Sequence, residues 1–350
     1  MPTLPARAFS ALCVISFVLA VFTGSAARAD LVWTPATGWK VEGDSVLKGI
    51  LPEEGRNALD SMNKARAAEE NGHRSSAMSS YEKIAKKYPH SIYASEALYR
   101  AAKIRLARKQ YFKAFNEFQD VVTNYPNSSH FDEIIGEQYR IANALLEGAR
   151  NRYWGLIPGF KNRAKGIDYF EKVIVAAPYS DYAPLALMNI AQGHQKLHEP
   201  DEAIDALDRM INSYPQSLLA PDAYLRLAQA HASLVEGPAY DQASAKQAIT
   251  YFEDFMILFP SDTGVKTADT GLANMKQEFS QSKITIGDFY FYKRSNYKAA
   301  RVFYNEAITS YPDSEVAKVA RARLDAVDAA EQKSKNPPPP HKIGPRFWMF

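Results

Sequence analysis

The stretch 81-YEKIAKKYPHSIYASEALYR-100 sets a Tyr-Pro pair, followed two residues later by Ser, between two runs of good helix formers. Proline cannot donate to a helical ladder, and it pushes the residue before it out of the helical region. The spacing therefore predicts one helix ending near Tyr88 and another beginning near Ser91. The arrangement returns as Tyr125-Pro126-Asn127-Ser128, Tyr214-Pro215-Gln216-Ser217 and Tyr311-Pro312-Asp313-Ser314. Aligning on prolines 89, 126, 178, 215, 260 and 312 brings out a shared pattern upstream. Twelve residues before each stand Ala77, Ala114, Gly166, Ala203, Ala248 and Ala300; eight before stand Tyr81, Phe118, Phe170, Leu207, Phe252 and Tyr304. Five before come Ile84, Val121, Val173, Met210, Phe255 and Ala307, which completes the stripe of an amphipathic helix. The small residue allows a neighbouring helix to approach, and the large one fills the space between them. Ser91, Ser128, Ser180, Ser217, Asp262 and Ser314 are expected to cap the following helices.

The small-x3-aromatic…proline pattern resembles the tetratricopeptide repeat over about residues 55 to 330. That resemblance implies an all-α fold: a solenoid of antiparallel helix pairs, about six repeats long. The proline spacings of 37, 52, 37, 45 and 52 exceed that family's period of about 34 residues, so insertions or longer helices are expected. Gly and Pro interrupt the helical pattern in 147-EGARNRYWGLIPGFKNRAKG-166 and in 235-VEGPAYDQAS-244. The segment 262–295 reads as one long helix or two nearly continuous ones, with Gly264, Gly271 and Gly287 weakening the pattern.

At the front, a basic start, the apolar run 11-ALCVISFVLAVF-22 and Ala27-Arg28-Ala29 have the architecture of a signal peptide cut between Ala29 and Asp30. The single cysteine, Cys13, falls inside that run, so lipidation and disulfides are not expected of the exported chain. The sequence carries 42 Lys and Arg against 39 Asp and Glu, with Arg7 and Arg28 in the leader. A near-neutral balance argues against nucleic acid as the main partner. The expected organisation is a leader over 1–29, an extended N-terminal arm over 30–54 and a repeat array over 55–260. A long-helix module over 261–333 and a Pro-rich tail over 334–350 follow.

No phosphate loop, nucleophile elbow or cysteine nucleophile is present, so neither an enzyme nor a cofactor is expected. His194 and His198 stand four apart but lack a His-Glu-x-x-His context, and they read as ordinary surface or helix-end residues. Two readings of 150-RNRYWGLIPGFKNRAK-165 stand side by side. Tyr153, Trp154 and Phe160 could anchor an acidic or aromatic peptide; the expectation adopted is that they pack under the loop while the basic groups stay solvated. In a helix-pair array the first helix of each pair faces the groove. That gives Arg66, Tyr99, Lys103, Met188, Gln192 and Tyr292 as groove candidates.

The front stretch 81–98 and especially 286-IGDFYFYKRSNYKAARVFYNEAITSYPDSEVAKVARARL-324 resemble the outer-membrane assembly factor D (BamD) family. The resemblance implies a non-catalytic periplasmic scaffold at the inner face of the outer membrane, held there through partners. Its front repeats would receive unfolded outer-membrane protein precursors. Its back module would dock on the periplasmic domains of the β-barrel (BamA-like) insertase, through Lys293, Arg294, Tyr297 and Arg301. The alternative is a periplasmic repeat adaptor of another envelope system: Tol and cell division, polysaccharide export or pilus assembly.

Overall fold

The computed structural model describes residues 30–42, 52–237 and 242–335. The expected leader through Ala29, with Cys13, and the tail from residue 336 lie outside the described residues. Thirteen α-helices are among those described: α1 (Pro52–Glu70), α2 (Arg74–Lys87), α3 (Ile92–Ala107), α4 (Tyr111–Asn124), α5 (Phe131–Leu146), α6 (Arg163–Ala176) and α7 (Tyr182–Leu197). They continue with α8 (Pro200–Ser213), α9 (Ala220–Ser233), α10 (Gln242–Leu258), α11 (Val265–Asp288), α12 (Tyr297–Ser310) and α13 (Glu315–Lys335). In chain order they form six successive pairs, α1/α2 through α11/α12, with α13 following the last. The fold is the all-α helix-pair array that the repeat predicts. The proline-terminated helices are the second members, α2, α4, α6, α8, α10 and α12.

One backbone turn, built six times, makes the junctions. The amides of Ser91, Ser128, Ser180, Ser217, Asp262 and Ser314 each donate to the carbonyl of the residue before the proline, at 2.9–3.3 Å. Proline takes the second position of that turn, where its fixed φ is already correct. Tyr88, Tyr125, Ala177, Tyr214 and Tyr311 leave the helix with φ from −127° to −150° and ψ from 52° to 76°. This is the displacement that a following proline imposes. The side-chain caps expected of the serines are only partly found. Ser91, Ser180 and Ser314 donate their hydroxyls backwards, to the carbonyls of Tyr88, Ala177 and Tyr311 at 2.7–2.8 Å. Asp262 accepts from Gly264 at 2.7 Å and Ser314 also accepts from Ala317 at 3.1 Å. In Ser91, Ser180 and Ser314 the hydroxyl turns back because a carbonyl freed by the proline lies within its reach, whereas Ser128 and Ser217 accept from the amides of His130 and Leu219 two residues on, at 3.4 and 3.2 Å.

All six small residues and all six large ones of the pattern are buried. The single glycine among the small set, Gly166 in α6, marks a close approach to a neighbouring backbone: a Cβ there would lie 2.8 Å from the Ala142 carbonyl oxygen and 2.9 Å from the Leu146 nitrogen of α5. The long segment after residue 262 is one helix, α11. Gly271 and Gly287 persist inside it because the rings of Phe252 and Tyr304 sit against their α-carbons, at 2.4 Å and 2.6 Å from where a Cβ would stand.

The chain divides into two compact units, one through Ile104 and one from Arg105. In the first, the arm expected to be extended is a hairpin of β1 (Asp30–Thr34) and β2 (Gly38–Glu42), with Trp33 opposite Trp39. Trp39 is buried among Ala58, Met62, Tyr81 and Ala101, and its amide donates to Asn63 Oδ1 at 2.8 Å. Burying an indole and satisfying that amide docks the hairpin, which corrects the reading of the arm as lying outside the core. The second unit carries another hairpin, β3 (Arg150–Tyr153) with β4 (Ile157–Lys161), between α5 and α6.

Three second-helix tyrosines reach a carboxylate: Tyr81 donates to Glu69 at 2.9 Å, Tyr251 to Asp208 at 2.9 Å and Tyr304 to Asp288 at 2.6 Å. Burial first, and then the adjacent carboxylate, raises all three phenols; Tyr251 is pushed up to about 12. A raised folded-state value adds stability that is complete below the unfolded value of about 10 and is lost as pH rises through the folded value. Urea midpoints should therefore hold up to about pH 10 and fall above it. A Tyr251→Phe variant should fall less steeply, and a midpoint insensitive to pH between about 9.5 and about 11.5 would contradict this.

Candidate functional site

The back module is shaped by where α11 stops. Beyond Asp288 the helix widens into a π-type turn, Phe289–Lys293, which is a rare element enriched at functional positions. The chain then reverses through Ser295 at φ +49°, and Asn296 opens α12 by accepting from the Ala299 amide at 3.1 Å. The turn sorts its aromatics. Tyr290 stacks on Phe303 with centroids 5.4 Å apart, and Phe291 meets Tyr297 at 6.1 Å, so these close the core with Ile284 and Tyr304. Phe289 and Tyr292 are exposed. Each carries a guanidinium over its ring, Arg294 over Phe289 at 5.4 Å and Arg323 over Tyr292 at 5.6 Å. Arg323 also donates to the Tyr292 hydroxyl at 3.1 Å.

The four docking candidates separate into distinct environments. Lys293 and Arg294 are exposed on the turn, and Tyr297 is half-buried against the core. Arg301 points to α13 instead, donating to Asp328 at 2.7 Å and pairing with Glu331. Those two carboxylates hold its guanidinium even further above its ordinary value, and they tie α12 to α13. Phe289 and Arg323 were not singled out by spacing. The alternation of outward and inward rings depends on the π-type turn, which straight helical periodicity misplaces.

The groove candidates are likewise divided. Tyr99 and Met188 are each only 8% exposed, so burial leaves neither ring nor thioether open to a partner. Arg66 is held by Glu69 and Glu70 at 3.2 and 3.1 Å and lies 4.2 Å over the Trp33 ring. Lys103 lies 5.9 Å over the Tyr99 ring, Gln192 is half-buried on α7, and Tyr292 is exposed on the π-type turn. Arg66, Tyr99 and Lys103 belong to the first unit, Met188, Gln192 and Tyr292 to the second.

The loop candidates overturn the expectation of packed aromatics. Tyr153, Trp154 and Phe160 are exposed, because β3 and β4 pair with each other and project their side chains outward. Tyr179 and Leu218 are also exposed; they lie at successive proline junctions beside an open cleft of about 1010 Å³ lined by Pro184, Leu185 and Tyr214. Tyr179 could have been found in the alignment, since it takes the position held by His90, Asn127, Gln216, Ser261 and Asp313 elsewhere. His194 pairs its Nδ1 with Glu199 at 2.8 Å, and His198 ends α7 in the left-handed region at φ +61°. Among the described residues no cluster of three or more His, Cys, Asp or Glu could hold a metal, and no helix is long and apolar enough to cross a membrane.

Residues 161–334 match the family described as an outer membrane lipoprotein, and residues 61–91 and 96–128 match the tetratricopeptide repeat. This is a BamD-like tetratricopeptide-repeat protein. The longer match contains the whole of α11, the π-type turn, α12 and most of α13. No curated protein sequence matches the BamD-like chain. Among solved structures, a tetratricopeptide repeat protein from Parabacteroides merdae is 12% identical, covering 79% of this chain and 99% of its own, with a TM-score of 0.29. A thermophilic repeat protein of Thermus thermophilus is 16% identical, covering 63% and 99%, with a TM-score of 0.29. The type IV pilus biogenesis factor PilW is 18% identical, covering 75% and 97%, with a TM-score of 0.26.

Proposed function

We propose that this chain is a non-catalytic scaffold of outer-membrane β-barrel assembly, working in the periplasm at the inner face of the outer membrane. Its repeats over 55–260 receive unfolded barrel precursors, and its module over 261–333 docks on the periplasmic domains of the barrel insertase. The observation that carries the reading is the family match over 161–334, which encloses the π-type turn and its exposed Phe289, Tyr292, Lys293 and Arg294. Aromatic and arginine side chains on a turn braced by packed neighbours are the residue types that dominate protein interfaces. Tyr297 supports the turn from within, and Arg301 acts through α13.

A Lys293→Glu/Arg294→Glu double variant tests the docking. Both side chains are exposed, so its circular dichroism and urea midpoint should match those of the wild type. Recovery of the insertase with the tagged protein from detergent-solubilised envelopes should fall by about tenfold or more, as for charge reversal at an interface. Undiminished recovery would remove the turn from the interface.

A further inference from the structure

The β3–β4 hairpin follows the repeat matches, which end at residue 128, and only its last residue, Lys161, enters the match over 161–334. It is mounted rigidly. Buried Asn151 accepts from the Phe112 amide at 3.1 Å, the Arg152 amide donates to the Lys109 carbonyl at 2.9 Å, and Arg108 donates to the Trp154 carbonyl at 2.7 Å. The tip is a tight turn with Trp154 at φ +52° and Gly155 at φ +79°, closed by the Leu156 amide on the Tyr153 carbonyl at 3.1 Å. The left-handed region is costly for a bulky residue and is normally filled by Gly or Asn. Trp154 offsets none of that cost by packing, because it is 74% exposed; Phe160 is 95% exposed, and Leu156 and Ile157 are exposed with it.

The charge around this apolar tip has one sign. Arg150, Arg152 and Lys161 are exposed on the two strands, and no Asp or Glu occurs between residues 148 and 167. Side chains this exposed form a convex projection, whereas peptide and small-ligand sites are concave. A convex tip of Trp, Leu, Ile and Phe backed by a cationic collar matches a soft planar surface that is apolar beneath an anionic layer. We infer that the β3–β4 hairpin inserts its tip into the interface of an anionic phospholipid bilayer, giving the protein a direct lipid contact of its own. This contact goes beyond the proposed scaffold role and does not depend on which machine the back module joins.

The test uses residues 30–350, the chain freed of its expected leader, with vesicles of phosphatidylglycerol and phosphatidylcholine or of phosphatidylcholine alone. The wild type should sediment with the anionic vesicles, less so as salt is raised, and brominated acyl chains should quench part of its tryptophan fluorescence. Trp154→Gly also removes the left-handed strain, so the variant should stay folded. Combined with Phe160→Ser, it should weaken partitioning by about tenfold or more, the scale set by losing two buried aromatic side chains. Equal binding by the two proteins, or no sedimentation of the wild type, would overturn the inference. Variant-sensitive retention on native membranes that protease treatment abolishes, without vesicle binding, would assign the tip to a protein instead.

Discussion

Replacing Phe170 with alanine should destabilise the second unit by about 3–5 kcal/mol, the range for deleting a fully buried aromatic ring. Phe170 is completely buried in α6. Its ring meets Tyr139 of α5 edge-on at 5.3 Å, and Tyr139 in turn accepts from Asn189 of α7 at 2.7 Å. The cavity would therefore open beneath a contact that three successive helices share, where backbone collapse is hindered on every side. Phe160→Ala, ten residues earlier on the exposed hairpin, should move the urea midpoint by less than about 0.5 kcal/mol equivalent, as expected of a surface position. Comparable losses from the two substitutions would contradict this placement of the core.

Gly166→Leu should be as damaging, at about 3 kcal/mol or more, because an overpacked helix contact must open. The atoms that a Cβ would meet, the Ala142 oxygen and the Leu146 nitrogen, belong to the backbone of α5 and cannot rotate aside. Even Gly166→Ala should destabilise, by about 1–2 kcal/mol, although alanine is the better helix former. Gly55 in α1 has nothing within 4 Å of a built Cβ, so Gly55→Ala should stabilise by about 0.5–1 kcal/mol. Urea titrations of the three variants followed by circular dichroism give the signs directly.

The repeat was legible in the sequence because its information is local. Ala77 and Tyr81, or Ala300 and Tyr304, are one helical turn apart on a helix that a proline terminates, and all of them are buried where the pattern places them. The family resemblance was legible from the aromatic and basic run before α12. Features decided by long-range contact were not. Arg301 finds Asp328 and Glu331 only once α13 has folded back, 27 and 30 residues along the chain. Trp39 joins the core only because Asn63 and α1 are there to receive it. Its hairpin did leave a trace, the turn residues 34-TPATG-38 between short runs containing Trp33 and Trp39. Trp154 is different, since it sits in a backbone conformation that propensity assigns to glycine, and no local rule anticipates it.

In the proposed function, the exposed face of the π-type turn meets the barrel insertase. Site-specific photocrosslinking in living cells, from a photoreactive side chain placed at Lys293, reads that contact directly; a second chain carrying the group at exposed Lys318 on α13 serves as the comparison. A crosslink should form from position 293 to the periplasmic domains of a β-barrel insertase, stronger than from position 318. Crosslinks from position 293 to Tol, export or pilus components, or none above the comparison, would contradict it.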